Sequence, residues 1–515
     1  MPENTTSAPA DDTHLEVLTL PAETLARVSQ PAVRDVIQYF DPSLITIPGA
    51  RNATAYATAR DLTDAVPVVH PQLGRSGDHI RHFRYAREPG VHEATDSTPP
   101  ADTIDIIAVQ TQDLLPRLAT QLATEDRSTG NNAATFVFAP KLTVDWNTTT
   151  LSTELPCADE IAEISASLTE PVTVLAGGQP AEYYHEWELP YEHSTVTVPI
   201  AGLGATDRGA SQFAQYTCTA RGSIAAEAVD TDQFGLQALH GVADKTARKL
   251  RSKGCDTTTD VQNLGVSDLA DLSGIGKPTA EKIHAHADVI DTGDALVLSN
   301  KTPVKTRDGR PPLCLDIETD GLSPTILWQF GVYDPATDTH QSFVEKQAPR
   351  NPEPVLEAFI TWLLANHSDR TLLTWNGHRF DYKHIAQFIE KHCPKYVDAW
   401  DDMWTYDLYK WAVRDGNALL PGRTNKLDHV ARALGYESSG TGLTGAQTAA
   451  AYQEFMRHPD DPTREPDWER HEAYCEDDCR ALWHVYNAVT NAPRRDMTDS
   501  GTGGADGQQT GLTDF

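Results

Sequence analysis

Residues 313–322 read LCLDIETDGL, an apolar run from which Asp316 and Glu318 emerge two residues apart. On a β-strand that spacing points both carboxylates to one side, which is how a chain presents a pair of oxygen ligands to a hard divalent cation. The chain is acid-rich, with 74 Asp and Glu among 515 residues, so an isolated Asp-x-Glu pair reads equally well as a solvated surface feature. Two later segments change its weight.

The first is TLLTWNGHRFDYKHI, residues 371–385. Thr371 to Trp375 reads as a short strand, Asn376 and Gly377 break it, and Phe380 opens an apolar-spaced helix that continues to Ile389. Asp381 falls near the helix start, where an acid also serves as a capping or dipole-compensating residue. The second is EAYCEDDCRAL, residues 472–482, inside a stretch from Asp467 to Val489 that has no Gly or Pro and recurs in Tyr474, Leu482 and Val485 at helical spacing. Tyr474 and Asp478 share one face of that helix, one turn apart. Asp477, three residues from Tyr474, competes for the same place.

Together these residues resemble the ribonuclease-H-like nucleases of the DEDD class, in the tyrosine subclass. Asp316 and Glu318 match the first motif, Asn376-Gly377 with Phe380-Asp381 the second, and Tyr474 with Asp478 the third. The histidine subclass fits poorly, because His471 would need an Asp five residues on, where the chain has Glu476. Within the superfamily the likeness is to the YprB-like ribonuclease-H domain, through TNKLDHVARALGY and GLTGAQTAAAYQEF between the second and third motifs. The resemblance covers residues 311–490 and rests on the joint spacing of the motifs. It implies a two-metal-ion 3′→5′ exonuclease using Mg²⁺ or Mn²⁺, with Asp316, Glu318, Asp381 and Asp478 as metal ligands and Tyr474 orienting the attacking water. Asn376 is expected beside the nucleic acid. A catalytically silent nucleic-acid-binding factor, or an exonuclease directed at RNA, is the competing reading.

Upstream, DLADLSGIGKPTAEKIHAHADVI (268–290) reads as helix, tight Gly274-Ile275-Gly276 turn and second helix. It resembles a helix-hairpin-helix DNA-binding motif, in which glycines bring backbone N–H groups and a helix N-terminus up to a phosphate. LHGVADKTARKLRSKG (239–254) is a second copy, with Gly241 in the turn and Ala243 where the later copy has Gly276. Residues 236–290 hold seven basic and seven acidic side chains in a chain of net charge −32, and Lys245, Arg248, Lys249, Arg251 and Lys253 cluster beside the first turn. Gly241, Lys245, Arg248, Lys249, Gly274, Gly276 and Lys277 are the candidate phosphate contacts.

An acidic chain should repel a polyanion over long range. With 14 Lys against 28 Arg and abundant Asp and Thr, the composition resembles proteins of a salt-rich cytoplasm. At about 1 M salt the Debye length is about 3 Å, so local contacts decide binding. The 39% hydrophobic content excludes a disordered acidic protein. No run approaches a transmembrane span, so no membrane partner is expected, and the seven Cys lack zinc-type pairing. Cys475 and Cys479, one helical turn apart, read as helix-packing residues, since thiolates are soft partners for Mg²⁺.

The expected fold class is α/β: a C-terminal ribonuclease-H-like mixed sheet flanked by helices (311–490), a small all-α helix-hairpin-helix domain (232–290), and an N-terminal α/β region of unknown fold (14–230). A linker over 291–310 and disordered segments at 1–13 and 491–515 complete the division. In the N-terminal region, TIDIIAV, ATFVFAP and PVTVLAGG alternate with helix-like segments. A RecB-like nuclease site is not expected there: no Lys precedes Lys141, and no Glu stands two residues before it. Gly177-Gly178 and Gly202-Leu203-Gly204 read as strand-to-loop punctuation, and His185 with Glu186 as a solvated pair.

Overall fold

The computed structural model describes residues 13–49, 51–63, 66–70, 79–86, 90–93, 103–124, 133–147, 152–181, 183–204, 212–301, 303, 309–321, 324–441 and 443–495. The segments expected to be disordered fall mostly on 1–12 and 496–515, which lie outside the described residues, as do 302 and 304–308 of the expected linker. The chain divides into two compact units, Met1–Gly235 and Leu236–Phe515.

The strands of the first unit are β1 (His14–Thr19), β2 (Leu44–Thr46), β3 (Val68–Val69), β4 (Ile80–Ala86), β5 (Gly90–Glu93), β6 (Thr103–Val109), β7 (Ala133–Ala139), the small pair β8 (Asp145–Asn147) and β9 (Ser152–Glu154), β10 (Val172–Ala176), β11 (Tyr184–Tyr191), β12 (Ser194–Gly202), β13 (Gln212–Thr219) and β14 (Ile224–Asp230). They build a five-stranded sheet, β14-β13-β1-β2-β3, and a seven-stranded one, β11-β12-β10-β7-β6-β4-β5. The period-two alternation of the apolar strands sorts their side chains into two cores. Ile104, Ile106, Phe136, Phe138 and Leu175 share one core with Leu15, Val17 and Tyr216 of the other sheet. Ile107, Val109, Val137, Val172 and Val174 pack under the helices Leu115–Thr124 and Ala158–Ala166. The outer side of the five-stranded sheet is covered by the helices Gln30–Phe40 and Ala53–Asp61 through Val33, Val36, Phe40, Ala55 and Ala59. The unit is thus four layers, helices on sheet on sheet on helices. Gly177 and Gly202 mark close backbone packing: a Cβ would sit 2.2 Å from the Pro140 carbonyl oxygen at the first and 1.6 Å from that of Pro180 at the second. On β11, His185 is exposed and Glu186 half-buried.

In the second unit the strands are β15 (Leu296–Val297), β16 (Leu313–Thr319), β17 (Leu327–Asp334), β18 (Thr339–Val344), β19 (Thr371–Thr374), β20 (Trp404–Asp407) and β21 (Ala418–Leu419). Five of them form a mixed sheet, β18-β17-β16-β19-β20, with β16, β17 and β18 antiparallel and β19 and β20 parallel to β16. Alternation along β16 decides what each face holds. Leu313, Leu315 and Ile317 join Phe359, Ile360, Ile385 and Ile389 of the helices Glu353–His367 and Asp381–His392. Cys314, Asp316 and Glu318 have the opposite parity, on the face covered by the long C-terminal helix Trp468–Asn491, which packs there through Cys479, Leu482, Val485 and Val489.

That helix lies close to the sheet because Gly331 of β17, opposite Asp316 in register, has no side chain. A Cβ at Gly331 would fall 2.5 Å from Cys475 Sγ, 3.0 Å from His340 Nε2 and 3.3 Å from Cys479 Sγ. The two small thiols therefore do pack, as read from sequence, but against a glycine, which is why the helix backbone can approach.

Ahead of the sheet, the helices Asp244–Ser252, Thr258–Asn263, Val266–Ala270 and Lys277–Thr292 enclose a core of their own. It has internal symmetry: Leu239, Val242, Ala247 and Leu250 of the first copy are buried at the positions that Leu272, Ile275, Ala280 and Ile283 fill in the second. Both turns close the same way, Val242 N–H to Leu239 O at 3.0 Å and Ile275 N–H to Leu272 O at 2.9 Å, with Gly241 at φ +75° and Gly274 at φ +82°. Gly276, by contrast, has a φ of −78°, open to any residue.

The expected linker is partly structured. The last helix of the pair runs to Thr292, and Leu296–Val297 pairs antiparallel with β21. The C-terminal helix likewise extends to Asn491, beyond which Arg495 N–H bonds Val297 O at 2.8 Å. No helix among the described residues is long and apolar enough to cross a membrane.

Replacing Gly331 by Ala should destabilise the protein by about 1–3 kcal/mol, the usual cost of overpacking. Urea unfolding followed by tryptophan fluorescence measures it, and an unchanged midpoint contradicts the close approach.

Candidate metal centre and nucleic-acid interface

Each of the three motifs is delivered by a different element. Asp316 and Glu318 come from β16, Asp381 from the first residue of the helix Asp381–His392, and Tyr474 and Asp478 from one face of the C-terminal helix. Residues from three parts of the chain thus share one electrostatic environment. Burial first, then the charges of Asp478 and Glu318, push the Asp316 carboxyl well above the usual carboxylate range. Glu318 is raised in the same direction by burial and by Asp478 and Asp381. Asp381 is pushed up to about 7, chiefly by burial and then by Asp407, against the pull of backbone hydrogen bonds at Asp381 and Ile317. Asp478 is raised by burial and by the charges of Asp428 and Cys479, with the Tyr474 phenol drawing it partly back. Tyr474 is itself raised by burial beside Asp478, so its proton stays on the oxygen at neutral pH.

Glu318 is 7% exposed, and its carboxylate accepts no hydrogen bond among the described residues. A buried carboxylate among like charges without a partner is costly unless a cation or a proton compensates it. The donors that converge are oxygens of the kind hard divalent ions favour. Asp316, Glu318 and Cys475 offer ligand atoms within 4.8 Å of one another.

The rival acids are occupied elsewhere. Asp477 accepts a hydrogen bond from the Tyr436 hydroxyl at 2.8 Å and another from Ser439 N–H at 3.1 Å. Glu476 is bonded to Arg480 Nε at 2.7 Å. His471 lies apart from the carboxylates, edge-on to Trp328 in a buried aromatic group, with its pKa drawn down to about 4 by burial and by Arg470.

The geometry adds residues that the sequence reading passed over. Asp407 at the end of β20, 3% exposed, accepts from the N–H groups of Asn376 at 3.0 Å, His378 at 3.1 Å and Lys410 at 2.9 Å. It fixes the loop that precedes Asp381. Asn376 there adopts φ +66°, a conformation Asn tolerates, and a Cβ on Gly377 would lie 1.9 Å from Thr374 Oγ1. Asp428 adds charge beside Asp478. Both acids sit in otherwise ordinary segments, and only the two neighbouring motifs could have drawn attention to them. Cys475, read from sequence as a helix-packing residue, also has its Sγ donating to Asp316 Oδ2 at 3.5 Å.

The hairpin residues form a separate group. Lys245 and Arg248 are exposed on the first long helix, beside the Gly241 turn, and Lys277 is exposed after the second turn. Lys249 is committed to the second turn, where its Nζ donates to Ser273 O. The helix pair is tied to the sheet domain through His286, whose Nδ1 accepts from His240 N–H at 2.8 Å and whose Nε2 lies 3.2 Å from Leu420 O.

Comparison with known proteins locates two domains. Residues 313–490 match the RNase H superfamily, and residues 235–288 match the SAM-like helix-hairpin-helix tandem. The C-terminal domain is RNase H-like, preceded by tandem hairpins. Among solved structures, the chain is similar to E. coli exonuclease I bound to single-stranded DNA with zinc, at 19% identity and a TM-score of 0.20, over 32% of this chain and 41% of that one. It is similar also to the E. coli enzyme in complex with an oligonucleotide, at 20% identity and a TM-score of 0.20, over 32% of this chain and 42% of that one. The chain therefore spans less than half of the length of these structures. No curated protein matches it.

The raised Asp381 carboxyl has a consequence for stability. Its folded pKa of about 7 exceeds the ordinary 3.8, so between those values the folded state holds the proton more tightly and stability falls as pH rises. In EDTA, Asp381→Asn should raise the unfolding free energy at pH 8 by up to about 4 kcal/mol and give no gain near pH 4. Denaturation curves at the two pH values check this; equal effects at both contradict it.

Proposed function

We propose that the protein is a metal-dependent nuclease that hydrolyses phosphodiester bonds as a 3′→5′ exonuclease on single-stranded or flapped DNA. The observation that carries the reading is the convergence of Asp316, Glu318, Asp381 and Asp478, with Glu318 and Asp381 buried and the Glu318 carboxylate without a hydrogen-bond partner among the described residues. Such a group demands positive charge, and hard divalent ions meet that demand.

The tyrosine subclass, the direction of cleavage and the preference for DNA rest on the likeness of the three motifs and on the hairpins. Asp316, Glu318, Asp381 and Asp478 would hold Mg²⁺ or Mn²⁺, two ions in the reading favoured here. Ions bound there would supply a Lewis acid for the phosphate and an activated water. The residues of the chain do the rest. Tyr474, kept protonated, is a hydrogen-bond donor on the same helical face as Asp478, suited to orienting a water. Asp407 holds the Asn376–His378 loop rigid, so that Asp381 and Asn376 are pre-positioned. The hairpin turns and their exposed cations would hold the phosphate backbone ahead of the site.

The test is cleavage of 3′- and 5′-labelled single strands, duplexes and flaps in molar KCl with Mn²⁺. Asp316→Asn should lower the rate by roughly 10³-fold or more while leaving the circular dichroism spectrum unchanged. Undiminished cleavage by that variant removes the assignment, and absence of cleavage by the unaltered chain with either ion favours a silent binding factor. Binding is tested separately. Lys245→Glu with Arg248→Glu should weaken affinity for single-stranded DNA and flatten the slope of log K against log salt by about 1.4. An unchanged slope means that these cations do not touch phosphate.

A further inference from the structure

We propose that Cys475 makes this centre a mixed oxygen and sulfur site that captures a thiophilic divalent cation, Zn²⁺ or Cd²⁺, through Asp316, Glu318 and Cys475, displacing the hard cation from the same carboxylates. The proposal rests on the reading of Asp316 and Glu318 as metal ligands and adds a sulfur donor to them.

Three observations carry it. Cys475 Sγ and carboxylate oxygens of Asp316 and Glu318 lie within 4.8 Å of one another, close enough to bind one ion with side-chain adjustment alone. The separation of Cys475 Sγ from Asp316 Oδ2 is 3.5 Å. A zinc ion bonded to a thiolate at about 2.3 Å and to a carboxylate at about 2.0 Å holds those two atoms about 3.5 Å apart at the tetrahedral angle. The third is Glu318, 7% exposed, whose carboxylate has no hydrogen-bond partner among the described residues and lies in the same group.

Chemistry separates the two kinds of cation. Mg²⁺ takes oxygen donors and gains nothing from the sulfur, whereas zinc and cadmium bind thiolates strongly. On binding, the thiol proton is released to solvent as the sulfur–metal bond forms, with no change of oxidation state. Cys479, whose Sγ donates to Gly331 O at 3.3 Å, is not among the ligand atoms that lie within 4.8 Å of one another. The centre is therefore loaded for activity by hard ions and blocked by thiophilic ones.

The experiment uses the full chain without nucleic acid. Cd²⁺ titration is followed by the ultraviolet thiolate-to-cadmium charge-transfer band and by calorimetry, with Mn²⁺ affinity measured in parallel. The unaltered chain should show the band, Cys479→Ser should keep it, and Cys475→Ser should lose it. The preference for Cd²⁺ over Mn²⁺ should fall about 100-fold in Cys475→Ser. Cys475→Ala, which removes the sulfur without adding a hydroxyl, serves if the serine variant does not fold. Retention of the band and of the preference in either Cys475 variant overturns the proposal, as does loss in Cys479→Ser alone. The nuclease reading fails separately: a chain that binds Cd²⁺ through Cys475 but cleaves nothing with Mn²⁺ keeps the thiolate site and loses the activity. A chain that cleaves with Mn²⁺ yet binds Cd²⁺ equally well without Cys475 loses only the thiolate site.

Discussion

The close seating of the C-terminal helix on β17 is the constraint on which the rest of the C-terminal domain depends. Tyr474, Cys475 and Asp478 meet Asp316 and Glu318 only because the helix backbone comes down onto Gly331, with Cys475 and Cys479 filling the space that a larger pair would hold open. The strand supplies parity and the helix supplies periodicity, but their distance is set by one missing side chain. The apolar residues Leu482, Val485 and Val489 further along the helix hold it there by burial.

This seating creates an electrostatic load. Four carboxyls are gathered at one place, Glu318 and Asp381 buried and Asp316 and Asp478 half-buried, and the charges of Asp478 and Asp381 raise the proton affinity of Asp316 and Glu318. In a metal-free protein, protons neutralise part of that charge. Cations bound there as proposed would replace those protons and so couple ion binding to pH and to stability through the same groups. Asp407 and Asp428 enlarge the effect from outside the set, the first while anchoring the loop before Asp381.

The acidic surface and the hairpin module describe different scales of the same molecule. Net charge of −32 acts over long range and is screened by salt, while the hairpin turns act at contact distance. The two copies are equivalent in their buried positions, yet only Gly241 and Gly274 require a left-handed backbone. Gly276 does not, so Ala243 at the equivalent place in the first copy needs no compensation. The N-terminal unit adds four layers whose cores are sorted by simple alternation, with no carboxylate group comparable to that of the C-terminal domain among the described residues.

Much of the centre was legible from residue spacing alone. Asp316 and Glu318 two apart on a strand, and Tyr474 and Asp478 four apart on a helix, must share faces because the periods of strand and helix are fixed by local backbone geometry. The hairpin turns were legible for the same local reason, through glycine. What only the tertiary structure decided is everything that depends on contact between distant segments: the closeness that Gly331 permits, the turning of Asp477 to Tyr436, the support that Asp407 gives to Asn376, and the contact of Cys475 with Asp316. Local geometry fixes the direction in which a side chain leaves its own element. Which partner it meets depends on packing between elements far apart in the chain, and a single sequence carries no periodic signal for that.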